Sequence, residues 1–293
     1  MDIIVSQLFA GVSIGSVLLL AALGLSLTFG QMGVINMAHG EFMMAGAYTA
    51  FVVQWFLPPG ISLPVALLLG FGVGGLLGLL LEVTLIRRMH QRPLDTLLVT
   101  FGVSLVLQQV ARDIFGAPNV DVAAPGWLAG PLMIGPYAFP KARLFIIVLA
   151  IACVLALMLV LSRTSFGRRI RAVTQNRDLA EVSGLSAVRT DQLTFFIGSG
   201  IAGVAGVALT LLGSIGPTLG QNYIVDAFLV VVVGGLGRLK GAVAAALGLG
   251  IIQAFVELSL GASLAKVAVL LLIVAFLQFR PQGLVQVRTR SLA

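Results

Sequence analysis

Apolar residues run through this chain in long stretches, and short polar or glycine-rich breaks cut them into pieces of helical length. A membrane-spanning helix needs about 20 apolar residues, whereas a barrel strand shows about ten of alternating polarity. The stretches here do not alternate, so the pattern predicts helices. Nine spans emerge, at roughly residues 8–29, 42–55, 63–86, 96–115, 144–161, 193–212, 223–233, 242–258 and 264–279. The glycine-rich break around Asn36 leaves eight or ten as alternatives. The fold class is therefore all-α, a polytopic membrane protein with broken helices, read as a single unit over 1–293. Pro58-Pro59-Gly60 reads as a tight turn after the second span. Gly70, Gly74 and Gly78 place small residues on one face of the third span, and Gly198, Ala202 and Gly206 do so on the sixth. The seventh span is too short to cross about 30 Å of hydrocarbon upright.

Composition agrees. Hydrophobic residues make up 59% of the chain and charged residues 10%, where a soluble domain carries about 25% charged. The single Cys153 gives no disulfide framework. The net charge of +7 resides in loops flanking spans, which is the membrane pattern rather than a nucleic-acid one. Met1-Asp2-Ile3 lacks a basic leader, so the first span is read as retained. With sides alternated, fourteen Lys and Arg fall on the side of Arg87, Arg92, Arg238, Arg288 and Arg290, and four on the other, namely Arg112, Lys141, Arg143 and Lys266. The basic side is cytoplasmic, which predicts the N-terminus outside and the C-terminus inside.

The stretch 162–192 is the most basic interruption, with Arg163, Arg168, Arg169, Arg171, Arg177 and Arg189. Asp178 and Glu181 have the form of a capping box, and Gly184 is a ready C-terminal cap. They predict a short helix, roughly Leu179 to Ser183, with Leu179 and Val182 on one face. Ile170 and Val173 form a similar apolar face just before it. A helix this short is marginal in water and needs a partner surface. The alternatives are a cytoplasmic docking site and an ordinary loop lying against anionic lipid.

Polar residues within spans are costly and mark candidate function. Asn36, His39 and Glu41 lie in the break before the second span, bracketed by Gly33 and Gly40. Thr100, Ser104 and Gln108 recur every four residues on the fourth span, facing either other helices or water. Asn222 and Asp226 are one turn apart on the short seventh span. Pathway lining and simple helix packing both account for these groups. Glu82 and Glu257 read as residues at span boundaries. Neither histidine, His39 or His90, belongs to a metal-binding motif, and no catalytic triad or phosphate-binding loop is present. The chain is thus read as a non-enzyme with no catalytic or metal site and no bound cofactor.

Val34-Ile35-Asn36-Met37-Ala38-His39-Gly40-Glu41 resembles the signature of the branched-chain amino acid ABC permease family. Gly167-Arg168-Arg169-Ile170-Arg171-Ala172-Val173 with Gly184-Leu185 resembles its cytoplasmic coupling loop, and Val232-Val233-Gly234-Gly235-Leu236-Gly237 its late glycine-rich turn. The resemblance implies an ABC importer permease in the cell (inner) membrane. It further implies a second related permease as heterodimer partner, two cytoplasmic ATPase subunits that hold the ATP, and an extracytoplasmic substrate-binding protein. Arg168, Arg169, Arg171, Asp178, Leu179, Glu181, Val182 and Gly184 become the candidate ATPase-coupling residues. The stretches Arg92–Leu98 and Arg112–Val120 look more like the urea-type permease, so urea or a short amide is favoured over a branched-chain amino acid. Urea is neutral and suits Asn, Gln and Thr, whereas an amino acid wants a partner for its carboxylate, and no arginine lies mid-span. A passive channel is a more distant alternative. It would need no docking helix, a membrane enzyme would need catalytic groups, and a scaffold would need no polar stripes.

Overall fold

The computed structural model describes residues 2–89 and 93–285. Arg92, Arg288 and Arg290 of the charge count lie outside the described residues. Eleven α-helices are seen among them, and seven are long and apolar enough to span a membrane: α1 (Asp2–Met32), α3 (Pro59–Thr84, with a 3-10 turn to Arg88), α4 (Pro93–Phe115), α5 (Lys141–Arg163), α8 (Ala187–Leu209), α10 (Leu239–Leu260) and α11 (Ala262–Phe279). Two more lie within the bundle but are short. These are α2 (His39–Val53) and α9 (Leu219–Gly234), of 15 and 16 residues, each about 22–24 Å long at 1.5 Å per residue. The nine predicted spans thus correspond to seven full spans and two partial ones. The remaining helices, α6 (Ser165–Gln175) and α7 (Arg177–Val182), fill the basic interruption.

Helices α1 and α8 form the centre, with 72% and 78% of an 18-residue apolar stretch buried in each, while α5 and α11 form the rim at 17% and 11%. The glycine stripes explain how α8 can be so enclosed. A side chain at Gly74 would sit 2.5 Å from the Ser199 carbonyl, Gly70 and Gly203 face each other, and Gly78 faces Ser199. On its other sides α8 sets Gly198 against Gly24 of α1, and Gly206 against Met43 of α2. Absent side chains let the backbones approach closely, which is the packing a membrane interior favours.

The partial helices start deep in the bundle, where Gly40 of α2 packs on Gly220 of α9. From there they diverge. Helix α2 runs to Gln54, whose side chain accepts from the Ala123 amide (3.0 Å) and donates to the Asp121 carbonyl (3.3 Å). Helix α9 runs the other way, to Gly234 packed on Gly241. Their first turns meet head to head.

One end of the bundle carries a β-hairpin, β1 (Pro131–Ile134) paired with β2 (Tyr137–Pro140). It lies in the loop between α4 and α5. Gly135, at φ 61°, supplies the left-handed backbone that a two-residue hairpin loop requires. Phe139 meets Phe9 of α1 with ring centroids 4.7 Å apart, and Val120 pairs with Ile215. The opposite end carries α6 and α7.

Two local expectations change. Pro58-Pro59-Gly60 is not the turn. Pro58 is the extended N-cap and Pro59 the first residue of α3, where a missing N–H costs nothing. The turn lies just before, at residues 54–57. Asp178 is not the cap of α7 either. Asn176 is, its side chain accepting from the Leu179 amide at 2.9 Å. Asn176 also ends α6 in an extended conformation (φ −158°, ψ 109°), so α7 begins at once and Asp178 falls in its first turn. Glu82 stands near the end of α3, as read, but wholly buried.

Candidate functional site

Three sets of candidate residues occupy three places. The first is a polar network between α2 and α4. The break at residues 33–38 is not helical, so Asn36 and His39 share no helix face. Instead the Asn36 side chain accepts from the Ala38 amide (3.1 Å), and His39 Nε2 donates to the Ala21 carbonyl of α1 (3.2 Å). The stripe on α4 faces α2. Thr100 Oγ1 accepts from the Met37 amide (3.0 Å), and Ser104 Oγ and Gln108 Nε2 donate to Glu41 Oε1 (2.9 and 2.8 Å). All six are buried. A carboxylate at this depth is expensive, and two donors on successive turns of α4 offset part of the cost. Glu41 Oε2 and Asn36 Nδ2 have no hydrogen-bond partner among the described residues. Glu41 also borders an apolar groove of about 440 Å³ with Tyr48, Leu107 and Phe115.

Asn222 and Asp226 are elsewhere. They line a cleft of about 810 Å³ at the hairpin end, between α1, α9, α10 and α11, together with Arg143, Gln253, Glu257 and Lys266. Both signs of charge face this space, and among the described residues these four charged side chains form no ion pair within 4 Å. Beside it, a crevice of about 190 Å³ continues past Asp226, Gln253 and Lys266 among Leu229, Val230, Leu249, Val267, Leu270 and Ile273. The larger space is thus lined by charged and polar groups and the adjoining smaller one mainly by aliphatic side chains. Sequence reasoning missed the cations. Lys266 is a lone charge one turn into α11, and that position was the available signal.

The third place is the α6–α7 clip. Thr164 caps α6 by accepting from the Gly167 amide (3.3 Å). Ile170 and Val173 are buried against this chain's own residues, while Arg168, Arg169 and Arg171 stay exposed. The α7 C-terminus closes as a Schellman motif: Gly184 (φ 81°) donates to Glu181 O and Leu185 to Ala180 O. Ala180 faces inward, leaving Leu179 64% and Val182 87% exposed. Beneath α7 lies a node that the sequence did not reveal. Arg177 Nη2 pairs with Asp191 Oδ2 of α8 at 2.8 Å, and Asp191 Oδ1 accepts from Gln31 Nε2 of α1 at 2.8 Å. Thr194 in turn donates to Gln31 Oε1.

A polytopic helical bundle with interrupted helices and a capped amphipathic clip at one end has the build of a transport permease. Residues 7–277 match the family described as branched-chain amino acid transport system, permease component. This chain belongs to that family and is a multi-pass membrane permease of the ABC importer kind. It is 30% identical over 292 residues to the high-affinity branched-chain amino acid transport system permease protein BraD of Pseudomonas aeruginosa, covering 95% of this chain and 94% of that one. It is likewise 30% identical to LivH of Escherichia coli, over 95% and 94% of the two chains. The probable branched-chain amino acid permease of Methanocaldococcus jannaschii is 27% identical, over 94% and 91%. No solved structure matches the chain.

Proposed function

We propose that this permease imports a branched-chain amino acid, or a similar zwitterion with an aliphatic side chain. It works with cytoplasmic ATPase subunits, a second permease and a substrate-binding protein. The cell (inner) membrane houses it, with the hairpin outside and the α7 end in the cytoplasm. The observation that carries the substrate reading is the graded cleft. Lys266 and Arg143 suit a carboxylate, Asp226 and Glu257 suit an ammonium, and the adjoining crevice suits a branched hydrocarbon chain. The preference for urea rested on the stretches 92–98 and 112–120 and, second, on the lack of an arginine mid-span; the cleft supplies Arg143 and Lys266 for a carboxylate and so weakens the second ground. Relatives named for branched-chain amino acids add support, whereas nothing in the comparisons supports urea. In this reading Asn222 and Asp226 meet the solute, and Asn36, His39, Glu41, Thr100, Ser104 and Gln108 hold the broken segment beside its route. Leu179 and Val182 dock into an ATPase groove, flanked by Arg168, Arg169 and Arg171.

Uptake of labelled leucine and labelled urea, in cells with and without the chain, tests the reading. Leucine uptake should require the chain and urea uptake should not; the reverse result would replace the substrate. Lys266→Gln should raise KM for leucine about tenfold, because a hydrogen bond to a charged group contributes about 1.5–3 kcal/mol. An unchanged KM would move the carboxylate elsewhere.

A further inference from the structure

Helix α7 is joined to the bundle by its Schellman-closed junction with α8 at Gly184, by Ala180 packed with Val173 and Ala187, and by one charged contact. The charged contact is the side chain of Arg177, held between Glu181 of its own helix (3.7 Å) and Asp191 of α8 (2.8 Å). Asp191 is only 1% exposed, and a charge so buried is strongly destabilising once its partner leaves. Glu82, a second wholly buried acid, stands within electrostatic reach of both Asp191 and Arg177. Arg87 also acts on Glu82, and Asp191 holds a further contact, but the 2.8 Å pair is the charged contact that α7 itself makes with α8. Pulling Arg177 out of it removes one cation from a buried acidic pair, so the bundle gains by following α7.

Asp191 does not end the connection. Its other oxygen accepts from Gln31 in the last turn of α1, which Thr194 also holds. Two residues later comes Gly33, at φ 65° with nothing within 4 Å of a side chain placed there. From Gly33 the broken segment leads to Met37, bonded to Thr100 of α4, and into α2. Polar contacts thus run from α7 to the last turn of α1, and the backbone carries on from there through the broken segment to α2.

We propose that the Arg177–Asp191–Gln31 node is the latch through which movement of α7 is transmitted to α1 and α2, Arg177 and Asp191 being positioning residues that touch neither solute nor ATP. This rests on the reading of α7 as the ATPase-facing element. The test uses the whole complex of both permeases and the ATPase subunits in proteoliposomes. Arg177→Ala should keep ATPase subunits co-purifying within twofold of wild type while labelled-leucine uptake per ATP hydrolysed falls at least tenfold. The charge exchange Arg177→Asp with Asp191→Arg should recover much of that loss, which a merely misfolded chain would not do. Unchanged uptake in Arg177→Ala, or a loss of ATPase recruitment that accounts for the whole defect, would overturn the latch. Val182→Glu should abolish recruitment; retained recruitment there would sink the docking reading on its own. If the wild-type complex recruits ATPases but moves no leucine, the substrate reading fails alone. The latch is then decided by the ATP-driven change in distance between spin labels at Thr49 on α2 and Val225 on α9. Loss of that change in Arg177→Ala supports it, and persistence overturns it.

Discussion

Asn176 ends one helix and starts the next, and that double duty decides which side chain caps α7. Asn and Asp are near-equal N-caps, so composition alone did not choose between Asn176 and Asp178; the extended backbone at Asn176 did. Asn176→Ala should destabilise α7 by about 1 kcal/mol, seen as roughly fivefold faster hydrogen exchange at the Leu179 amide. Asp178→Ala should change it much less, since only a favourable charge in the first turn is lost. The reverse order would restore Asp178 as the cap. Other residues were readable in kind but not in partner. The period of Thr100, Ser104 and Gln108 showed that they share a face, and their cost in lipid showed that the face is covered. That it covers Glu41 could not be read, because 63 residues separate Ser104 from Glu41.

At the scale of elements, period and composition located the long helices well, because twenty apolar residues leave little choice in a membrane. The glycines of α3 were legible as a packing face, though not as a face for α8. A matched pair of substitutions isolates that contact. Gly74→Ala pushes a methyl into the Ser199 backbone and should lower the melting midpoint in detergent, at a cost of about 1–3 kcal/mol. Gly72→Ala, two residues away, meets nothing within 4 Å and should be neutral or mildly stabilising. Equal midpoints for the two would show that α3 and α8 do not need such close approach. The hairpin escaped the sequence for a different reason. Its strands are four residues long and β1 is exposed throughout, so no alternation of polarity marks it.

For the molecule as a whole, the arrangement of helices puts Arg112, Lys141, Arg143 and Lys266 at the hairpin end, and Arg87, Arg177 and Arg238 at the other. That segregation motivates the orientation proposed above. A reporter fused after Arg177 should be active only in the cytoplasm; activity only outside would invert the molecule. The clip was legible because its signals are local. The cleft was legible only in part: Asn222 and Asp226 stood out as polar groups on the short seventh span, whereas Arg143, Glu257 and Lys266 come from three other helices and look like separate loop or boundary residues until those helices pack. Helices α2 and α9 bring their amino termini together where Gly40 meets Gly220, and neither has a side-chain cap. Each terminus carries about half a positive charge, and two of them add in a medium that screens poorly. Glu41 stands in the first turn of α2, so its carboxylate faces that charge. The acid that Ser104 and Gln108 hold in place thus also balances the meeting point of two helix dipoles.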